Sequence, residues 1–335
     1  MNIQSYIFCI HFNFLFLESI NHFILTHTIA FYNLENLFDT YDDEYTNDND
    51  FLPNSAKRWT VKRYHNKLRK LDYAIANIAL EETGSPPAIV GFAEVENRNV
   101  VEDLLKGNYL KDIPYGIVHH DSPDERGIDV AFIYDTRVFE LIVSETFQLD
   151  IHDEEGERDF TRDILVVTGK LENNLIYFIV NHWPSRYDGA EETEYKRLAA
   201  SKRVSEIIEK LRNENTDPKI IIMGDFNDDP FSRSIKNLIS ENSLYNPMEA
   251  INQKRRGSLN RDHKWNLFDQ IFISTNFFEQ GKNKLTFENA DIFDNEFLKL
   301  YHGPYKGTPF RTYVGKKYKG GYSDHFPVYL ILKKV

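Results

Sequence analysis

A series of short apolar runs in this sequence ends, or starts, in residues that can hold a cation or move a proton. Asn33 follows Ile29-Ala30-Phe31-Tyr32, and Glu94 and Glu96 follow Ile89-Val90-Gly91-Phe92-Ala93. Asn181 and His182 close Ile176-Tyr177-Phe178-Ile179-Val180, and Asp225 and Asn227 follow Ile220-Ile221-Ile222-Met223-Gly224. Asp269 stands beside Ile271-Phe272-Ile273, and Asp324 and His325 precede the last apolar run. Strand ends on one edge of a sheet can converge on one cleft. Carboxylates, amides and imidazoles gathered there suit a hard divalent cation together with proton transfer, because Mg2+ takes one or two carboxylates and keeps waters for a phosphate substrate. The single cysteine, Cys9, leaves no disulfide framework and no cysteine-based zinc site. Taken singly, each segment has a plainer explanation. Asp225-Phe226-Asn227 is compatible with an Asx turn, Ser323-Asp324-His325 with a cap or turn, Glu94 with a solvated strand end, and His182 beside Trp183 with a satisfied core histidine. Order and shared strand-end setting carry the weight.

The elements that must position these residues follow from periodicity. Residues 28–32, 88–92, 128–134, 137–149, 164–171, 175–180, 219–223, 268–274 and 326–332 are apolar, β-branched or aromatic runs and predict strands. A helix is predicted from Thr60 to about Leu80, with Leu68, Leu71, Ile75 and Ile78 on one face, stopped by Gly84-Ser85-Pro86-Pro87. A second helix follows the Asp188-Gly189 turn and runs to about Leu211, with Ala200, Val204, Ile207 and Leu211 inward. Strands in runs, with helices between some of them, predict an α/β fold of mixed sheets with helices outside. The sequence shows no internal repeat and no long linker, so residues 27–335 are expected to form one domain, preceded by a segment 1–26.

The chain has 335 residues, 41% hydrophobic and 27% charged, which excludes collagen, coiled coil and wholesale disorder. Its net charge of −12 argues against tight, sequence-indifferent duplex binding, which rests on Lys and Arg against phosphate. The charge is uneven. No Lys or Arg precedes Lys57, whereas residues 57–70 carry seven basic residues and no acid. That run fits a solvated helix face, or alternatively a phosphate-facing rim. Residues 3–17 are apolar and aromatic but shorter than the ~20 residues a membrane helix needs, so no transmembrane segment is expected. They also lack a basic n-region and a small-x-small cleavage site. An export signal, an upstream extension outside the folded domain and a packed element all stay open. A cytoplasmic monomer is expected, or an exported protein if the first segment is a signal.

With the whole series in view, the sequence resembles the endonuclease/exonuclease/phosphatase superfamily, which includes pancreatic deoxyribonuclease, abasic-site endonucleases, sphingomyelinases and inositol-polyphosphate phosphatases. The matching segments are Phe31-Tyr32-Asn33-Leu34-Glu35-Asn36, Ala93-Glu94-Val95-Glu96-Asn97, Asn181-His182-Trp183-Pro184-Ser185, Gly224-Asp225-Phe226-Asn227, Phe268-Asp269-Gln270-Ile271 and Ser323-Asp324-His325-Phe326-Pro327-Val328. The resemblance implies a four-layer α/β/β/α sandwich, two mixed sheets face to face with helices outside. It also implies roles. Glu94 would be the principal Mg2+ ligand (Mn2+ the alternative ion), with Asn33 beside it and Asp324 near. His325 would be the general base, with Asp269 accepting a hydrogen bond from its other ring nitrogen. Asp225 would orient the nucleophile or meet the leaving oxygen. Asn227 and His182 would donate to phosphate oxygens, with Asp129 as acidic partner of His182. Arg162 would contact phosphate; its alternative is a surface arginine paired with Asp163.

Two departures from the family pattern bear on substrate. Ala93 stands where the family often has glutamine, and Glu96 adds an acid expected on the same strand face as Glu94 if the strand continues. Residues 39–58 form an insertion near the first site loop. The sequence therefore predicts a Mg2+-dependent phosphodiesterase acting on nucleic acid, supported by His182, Arg162 and the basic runs. The alternative is a phosphodiesterase or phosphatase for a small or lipid phosphate, with the Gly-, Tyr- and Lys-rich residues 301–322 reading a head group. A binding module that lost catalysis is opposed by the intact polar set. A nuclease predicts a positive stripe beside the cleft; a head-group enzyme predicts a closed pocket.

Overall fold

The computed structural model describes residues 25–152 and 156–334. Cys9 and nearly all of the N-terminal segment lie outside the described residues. Among the described residues no helix is long and apolar enough to cross a membrane. In the first half the chain forms β1 (Leu25–Leu37), α1 (Val61–Ala76), α2 (Leu80–Thr83), β2 (Ile89–Val95), α3 (Arg98–Leu105), β3 (Tyr115–His119), β4 (Asp129–Asp135), β5 (Phe139–Phe147), β6 (Ile164–Leu171) and β7 (Asn174–His182). There follow α4 (Glu194–Glu214), β8 (Lys219–Asp225), α5 (Arg233–Glu241), β9 (Leu244–Tyr245), α6 (Met248–Gln253), β10 (Leu259–Arg261), β11 (Lys264–Asn266), β12 (Asp269–Ser274), β13 (Leu285–Ile292), β14 (Tyr313–Val314), β15 (Lys317–Tyr318) and β16 (Val328–Lys334).

The long strands form two mixed six-stranded sheets, ordered β13-β16-β1-β2-β4-β3 and β5-β6-β7-β8-β12-β9. Each has one parallel pair at its centre, β1 with β2 and β7 with β8. The remaining pairings are antiparallel. Central strands are buried on both faces, which explains why they read as continuous apolar runs. In β7 and β8, Phe178, Val180, Ile221 and Met223 point between the sheets and join Phe31, Val90, Phe92 and Ile271 in one core. Their neighbours Ile179, Ile220 and Ile222 point outward into a second core with Val204, Ile207 and Leu211 of α4 and Leu238 of α5. Gly91 sets the spacing: a Cβ there would lie 2.6 Å from Met223 Sδ of the opposite sheet.

On the other side α1 lays Leu68, Leu71 and Ile75 against the first sheet, as its periodicity predicts, and Ile78 just beyond is buried too. Asn97 opens α3, its side chain accepting from Val100 N at 3.1 Å. Helices thus cover both outer faces and give four layers, α/β/β/α. The basic run before and within α1 is not a uniformly solvated face. Lys67 is buried, and its Nζ donates to Glu35 O at 3.2 Å and to Thr312 Oγ1 at 2.5 Å.

The insertion after β1 is packed. Phe51 stacks on Phe38 with ring centroids 4.5 Å apart, and Trp59 donates through Nε1 to Phe38 O at 3.0 Å. Phe51 and Trp59 both meet Tyr313, so this segment braces the loop that precedes His325.

Candidate active site

Topology brings the polar strand ends to one edge. Because β1 and β2 are parallel, Asn33 and Glu94 emerge together, and the β7–β8 register sets His182 opposite Asp225. Antiparallel β12 starts where β8 ends, pairing Asp269 with Asp225. Antiparallel β16 starts beside the end of β1, with Val328 opposite Phe31, which delivers His325 to the same edge. Irregularities then aim the side chains. Pairing of β1 with β2 jumps from Asn33–Ala93 to Leu37–Val95, and a bulge of this kind redirects side chains next to sites. Glu35, Asn36 and Glu94 take left-handed conformations there, with φ of 50°, 54° and 61°, and Asn227 does so after β8 at 50°. Each such non-glycine residue stores of order 1–3 kcal/mol of strain, which the surrounding structure must offset.

The site is a hydrogen-bonded set of buried groups. Asn33 Nδ2 donates to Asp225 Oδ2 at 3.0 Å and reaches Glu94 Oε1 at 3.4 Å, while its Oδ1 accepts from Glu35 N at 2.9 Å. Glu94 Oε2 accepts from Asn36 N at 2.8 Å. Asp225 Oδ1 accepts from Asn227 N at 2.9 Å, and Asn227 Nδ2 donates to Trp183 O at 3.0 Å. His325 Nδ1 lies 2.6 Å from Asp269 Oδ2, which also accepts from Ser258 Oγ at 2.5 Å. His325 Nε2 faces the other way, 4.0 Å from both Asp225 Oδ2 and Asp324 Oδ1. His182 Nε2 lies 3.9 Å from Glu94 Oε1 and from Asp225 Oδ2, and its buried Nδ1 has no partner among the described residues.

Electrostatics separates the two histidines. Burial alone would depress His325, but the charge of Asp269 and its hydrogen bond hold the imidazole well above the ordinary histidine value. His182 is pushed well below it, by burial first and then by Arg162, Arg126 and His325, and is neutral. Asp225 is pushed up to about 6, by burial and then by the charge of Asp269. Carboxylates have been gathered here faster than positive charge is supplied. The donors facing the centre are carboxylate and amide groups with imidazole and no sulfur, which fits a hard divalent cation. Asp225, Asp269 and His325 also offer ligand atoms within 4.8 Å of one another.

The structure thus brings Asn33, Glu94, His182, Asp225, Asn227, Asp269 and His325 together. Asp324 sits at the rim, its Oδ2 bound by Arg311 Nη2 at 2.7 Å. Three expectations are corrected. Asp129 does not partner His182: its Oδ2 lies 3.0 Å from His119 Nε2, and its Oδ1 accepts from Ser122 N at 2.9 Å. Arg162 is buried rather than on the surface, and its partners are Asp124 Oδ2 at 3.0 Å and Trp183 O at 2.8 Å, not Asp163. Glu96 does not share the face of Glu94, because the bulge and the end of β2 intervene. It accepts from Asp39 N at 2.6 Å, and burial, followed by the acids of the insertion, pushes it up to about 8.

Supporting residues escaped the sequence. Ser323 Oγ donates to Asn33 O at 2.7 Å and accepts from His325 N at 3.1 Å, tying the loop before β16 to the end of β1 in the same sheet. Glu35 accepts from Thr312 N at 2.5 Å and faces Lys67 and Arg311, with its carboxyl raised to about 7 chiefly by burial. Ser323 and Glu35 stand inside the quoted motifs, so a signal existed for both. For Lys67, Arg311 and Thr312 no local pattern pointed inward.

Residues 28–334 match the family model described as Endonuclease/Exonuclease/phosphatase family. A comparison with curated protein sequences finds no match. Among solved structures, the chain is similar to the mannosyl-6-phosphatase Bt3783 of Bacteroides thetaiotaomicron, at 18% identity and a TM-score of 0.57, covering 92% of this chain and 99% of that one. It is similar to TDP2 of D. rerio complexed with a single-strand DNA product, at 13% identity, a TM-score of 0.55 and coverage of 92% and 98%. It is also similar to the human Nocturnin catalytic domain with bound sulfate, at 14% identity, a TM-score of 0.58 and coverage of 92% and 94%. These identities speak for the fold alone. With the family model spanning nearly all of the described residues, the chain belongs to the endonuclease/exonuclease/phosphatase family.

Proposed function

We propose that the protein is a divalent-metal-dependent phosphodiester hydrolase of the nuclease type. The observation that carries this is the His325–Asp269 pair, 2.6 Å apart and buried, opening on the same sheet edge as Glu94, Asn33 and Asp225. Neutral hydrolysis of a phosphodiester needs a nucleophilic water, cover for the phosphate charge and help for the leaving oxygen. Glu94, Asn33 and Asp324 would hold Mg2+ or Mn2+; a bound ion supplies charge neutralisation and leaving-group assistance.

The chain's own groups supply the rest. Neutral His325 takes the proton of the attacking water on Nε2, while Asp269 fixes Nδ1–H and the ring orientation. Asp225, held by Asn33 and the Asn227 backbone, faces the same atom and orients the water or meets the leaving oxygen. His182, neutral and with Nε2 toward the centre, has one N–H to give to a phosphate oxygen. An asparagine amide has two N–H groups; Asn227 gives one to Trp183 O and keeps one for the phosphate. Arg162 holds the same Trp183 carbonyl from behind and so positions Asn227 rather than gripping substrate. The family members named above bear on a phosphorylated sugar and on single-strand DNA, which share the phosphoester linkage.

The test is one panel with Mg2+: single- and double-stranded DNA, RNA, an aryl phosphodiester and a phosphomonoester. Cleavage of at least one phosphodiester, lost in His325→Ala, is expected. Activity confined to the phosphomonoester would replace the proposal with a phosphatase.

A further inference from the structure

Asn227 is a non-glycine residue in a left-handed conformation, φ 50°, just past the end of β8. Such a conformation persists only where the surroundings over-determine it. Two of its holds belong to the site already described: its N donates to Asp225 Oδ1 and its Nδ2 to Trp183 O. The third is on its carbonyl. Arg186, on the chain leaving β7, donates from Nε to Asn227 O at 2.6 Å, and no other donor among the described residues reaches that oxygen. A charged donor makes the stronger kind of hydrogen bond, so the guanidinium sets the direction of this carbonyl and with it the plane of the turn.

The guanidinium is itself fixed from several sides. Its Nη2 donates to Asp228 Oδ1 and to Ser232 Oγ, the latter at 3.3 Å. Its face covers the Phe268 ring, 4.6 Å from the centroid. Phe268 O accepts from Phe226 N at 2.9 Å, and Phe268 directly precedes Asp269, so Arg186 spans the turn after β8 and the start of β12. Of the five N–H donors of an arginine, Nε uses one and Nη2 uses two, while Nη1 faces Asp229 Oδ2 at 3.9 Å. Asp228 does not depend on Arg186 to stay paired. It is buried, its Oδ1 also meets Arg197 Nε at 3.0 Å, and its Oδ2 accepts from Ser234 Oγ. Its backbone O accepts from Gln270 Nε2 of β12 at 2.7 Å. What Arg186 alone supplies is the grip on the Asn227 carbonyl.

We propose that Arg186 is a positioning residue: its grip on the Asn227 carbonyl sets the left-handed turn and so aims the free N–H of the Asn227 amide at the phosphate. This rests on the hydrolase function proposed above and adds the group that keeps its phosphate donor in place. Arg162, on the Trp183 carbonyl, fixes where that amide is anchored; Arg186 fixes the backbone that carries it. A donor aimed beforehand costs no reorganisation when charge develops in the transition state, and a displacement of about 1 Å can cost on the order of 10²-fold in rate. Loss of the grip frees Asn227 to leave the left-handed region, which turns its amide away from the centre. The competing role is direct contact between Arg186 and the phosphate, for which only Nη1 is left.

The test is a double-mutant cycle of Arg186→Met and Asn227→Ala. kcat is read at saturating Mg2+ on whichever phosphate ester the wild type cleaves, with melting temperature followed alongside. Asn227→Ala should lose roughly 10²–10³-fold, the cost of one preorganised donor. Arg186→Met should lose at least about tenfold. The double variant should fall within about twofold of Asn227→Ala alone, because Arg186 then has nothing left to position. Arg186→Lys keeps a cation beside Asp228 and should recover part of the loss; it takes the place of the Met variant in the cycle if that variant does not fold. The acid limb of the pH profile should stay where the wild type has it, since the His325–Asp269 pair is untouched. Losses that multiply in the double variant, an Arg186→Met rate equal to wild type, or a shifted acid limb would overturn the proposal. If no ester is cleaved, the same four proteins are compared for inorganic phosphate binding by calorimetry in chelator. Coupled losses there would keep the positioning role and sink the function proposed above, whereas independent losses, or no phosphate binding, would sink both.

Discussion

Replacing Asp269 by Asn separates a general base from a fixed cation at His325. The wild-type pair is 2.6 Å apart with Asp269 fully buried, so the carboxylate charge acts on the ring with little screening. An opposite charge at such range raises an imidazole by roughly 1–3 pH units. Only neutral His325 can accept a proton, so the rate should rise with pH through its raised value. Asp269→Asn removes the charge, so the acid limb should move down by about 1–3 pH units. Ser258 Oγ–H, now donating to Asp269 Oδ2, can still hold the amide oxygen, so the fold should survive. The plateau should also fall, by less than the roughly 10²–10⁴-fold that a general base contributes and that His325→Ala should lose outright. The assay is a pH profile of kcat for both proteins at saturating Mg2+. An acid limb that is absent, or unmoved in the variant, refutes the base assignment, and a rate that climbs as pH falls would make His325 a phosphate-neutralising cation.

Further expectations concern stability and charge. In chelator, thermal stability should fall as pH rises from about 6.5 to 8. Glu96, with a folded value of about 8, binds a proton more readily folded than unfolded, and His325 does too, so both lose stabilisation across that window. His182, shifted the other way, finishes its opposite contribution below its unfolded value of about 6.5. Mg2+ should flatten this decline; a stability in chelator that rises from pH 6.5 to 8 would contradict the charge balance described. Lys67→Met leaves Glu35 buried without its cation and should cost about 3 kcal/mol in urea unfolding, whereas a loss under about 1 kcal/mol, the scale of an exposed pair, would show that Arg311 alone suffices.

The legible part of the fold was its centre. Buried on both faces, β1, β2, β7, β8 and β12 can only be written as apolar runs, and the polar residue that closes each run, or in antiparallel β12 opens it, marks the common edge. Edge elements carried weaker signals. In β13, Thr286 and Leu285 are buried but Glu288 and Asn289 are exposed, so no run forms. The hairpin β10–β11 has three-residue strands with charged, exposed residues, although it leads directly into Asp269. Within the site, residue types located Glu94, Asp225 and His325, but partners separated widely in sequence were beyond local pattern. Asp129 illustrates this: strand alternation gives its face but not that His119, on the neighbouring strand, stands closer than His182. Glu96 failed for a related reason, since alternation assumes a regular strand, whereas the left-handed residue Glu94 interrupts β2 and the strand stops at Val95.

The most direct measurement is phosphodiester hydrolysis by wild type and Glu94→Gln across a Mg2+ titration that starts in chelator, with melting temperature followed in parallel. The wild type should be inactive in chelator and gain activity with Mg2+. The variant should stay folded yet need at least the roughly 10–100-fold more Mg2+ that even a supporting group contributes to metal affinity. Wild-type activity undiminished in chelator, or identical Mg2+ dependence in the two proteins, would contradict the assignment of this strand edge as a metal-dependent catalytic centre.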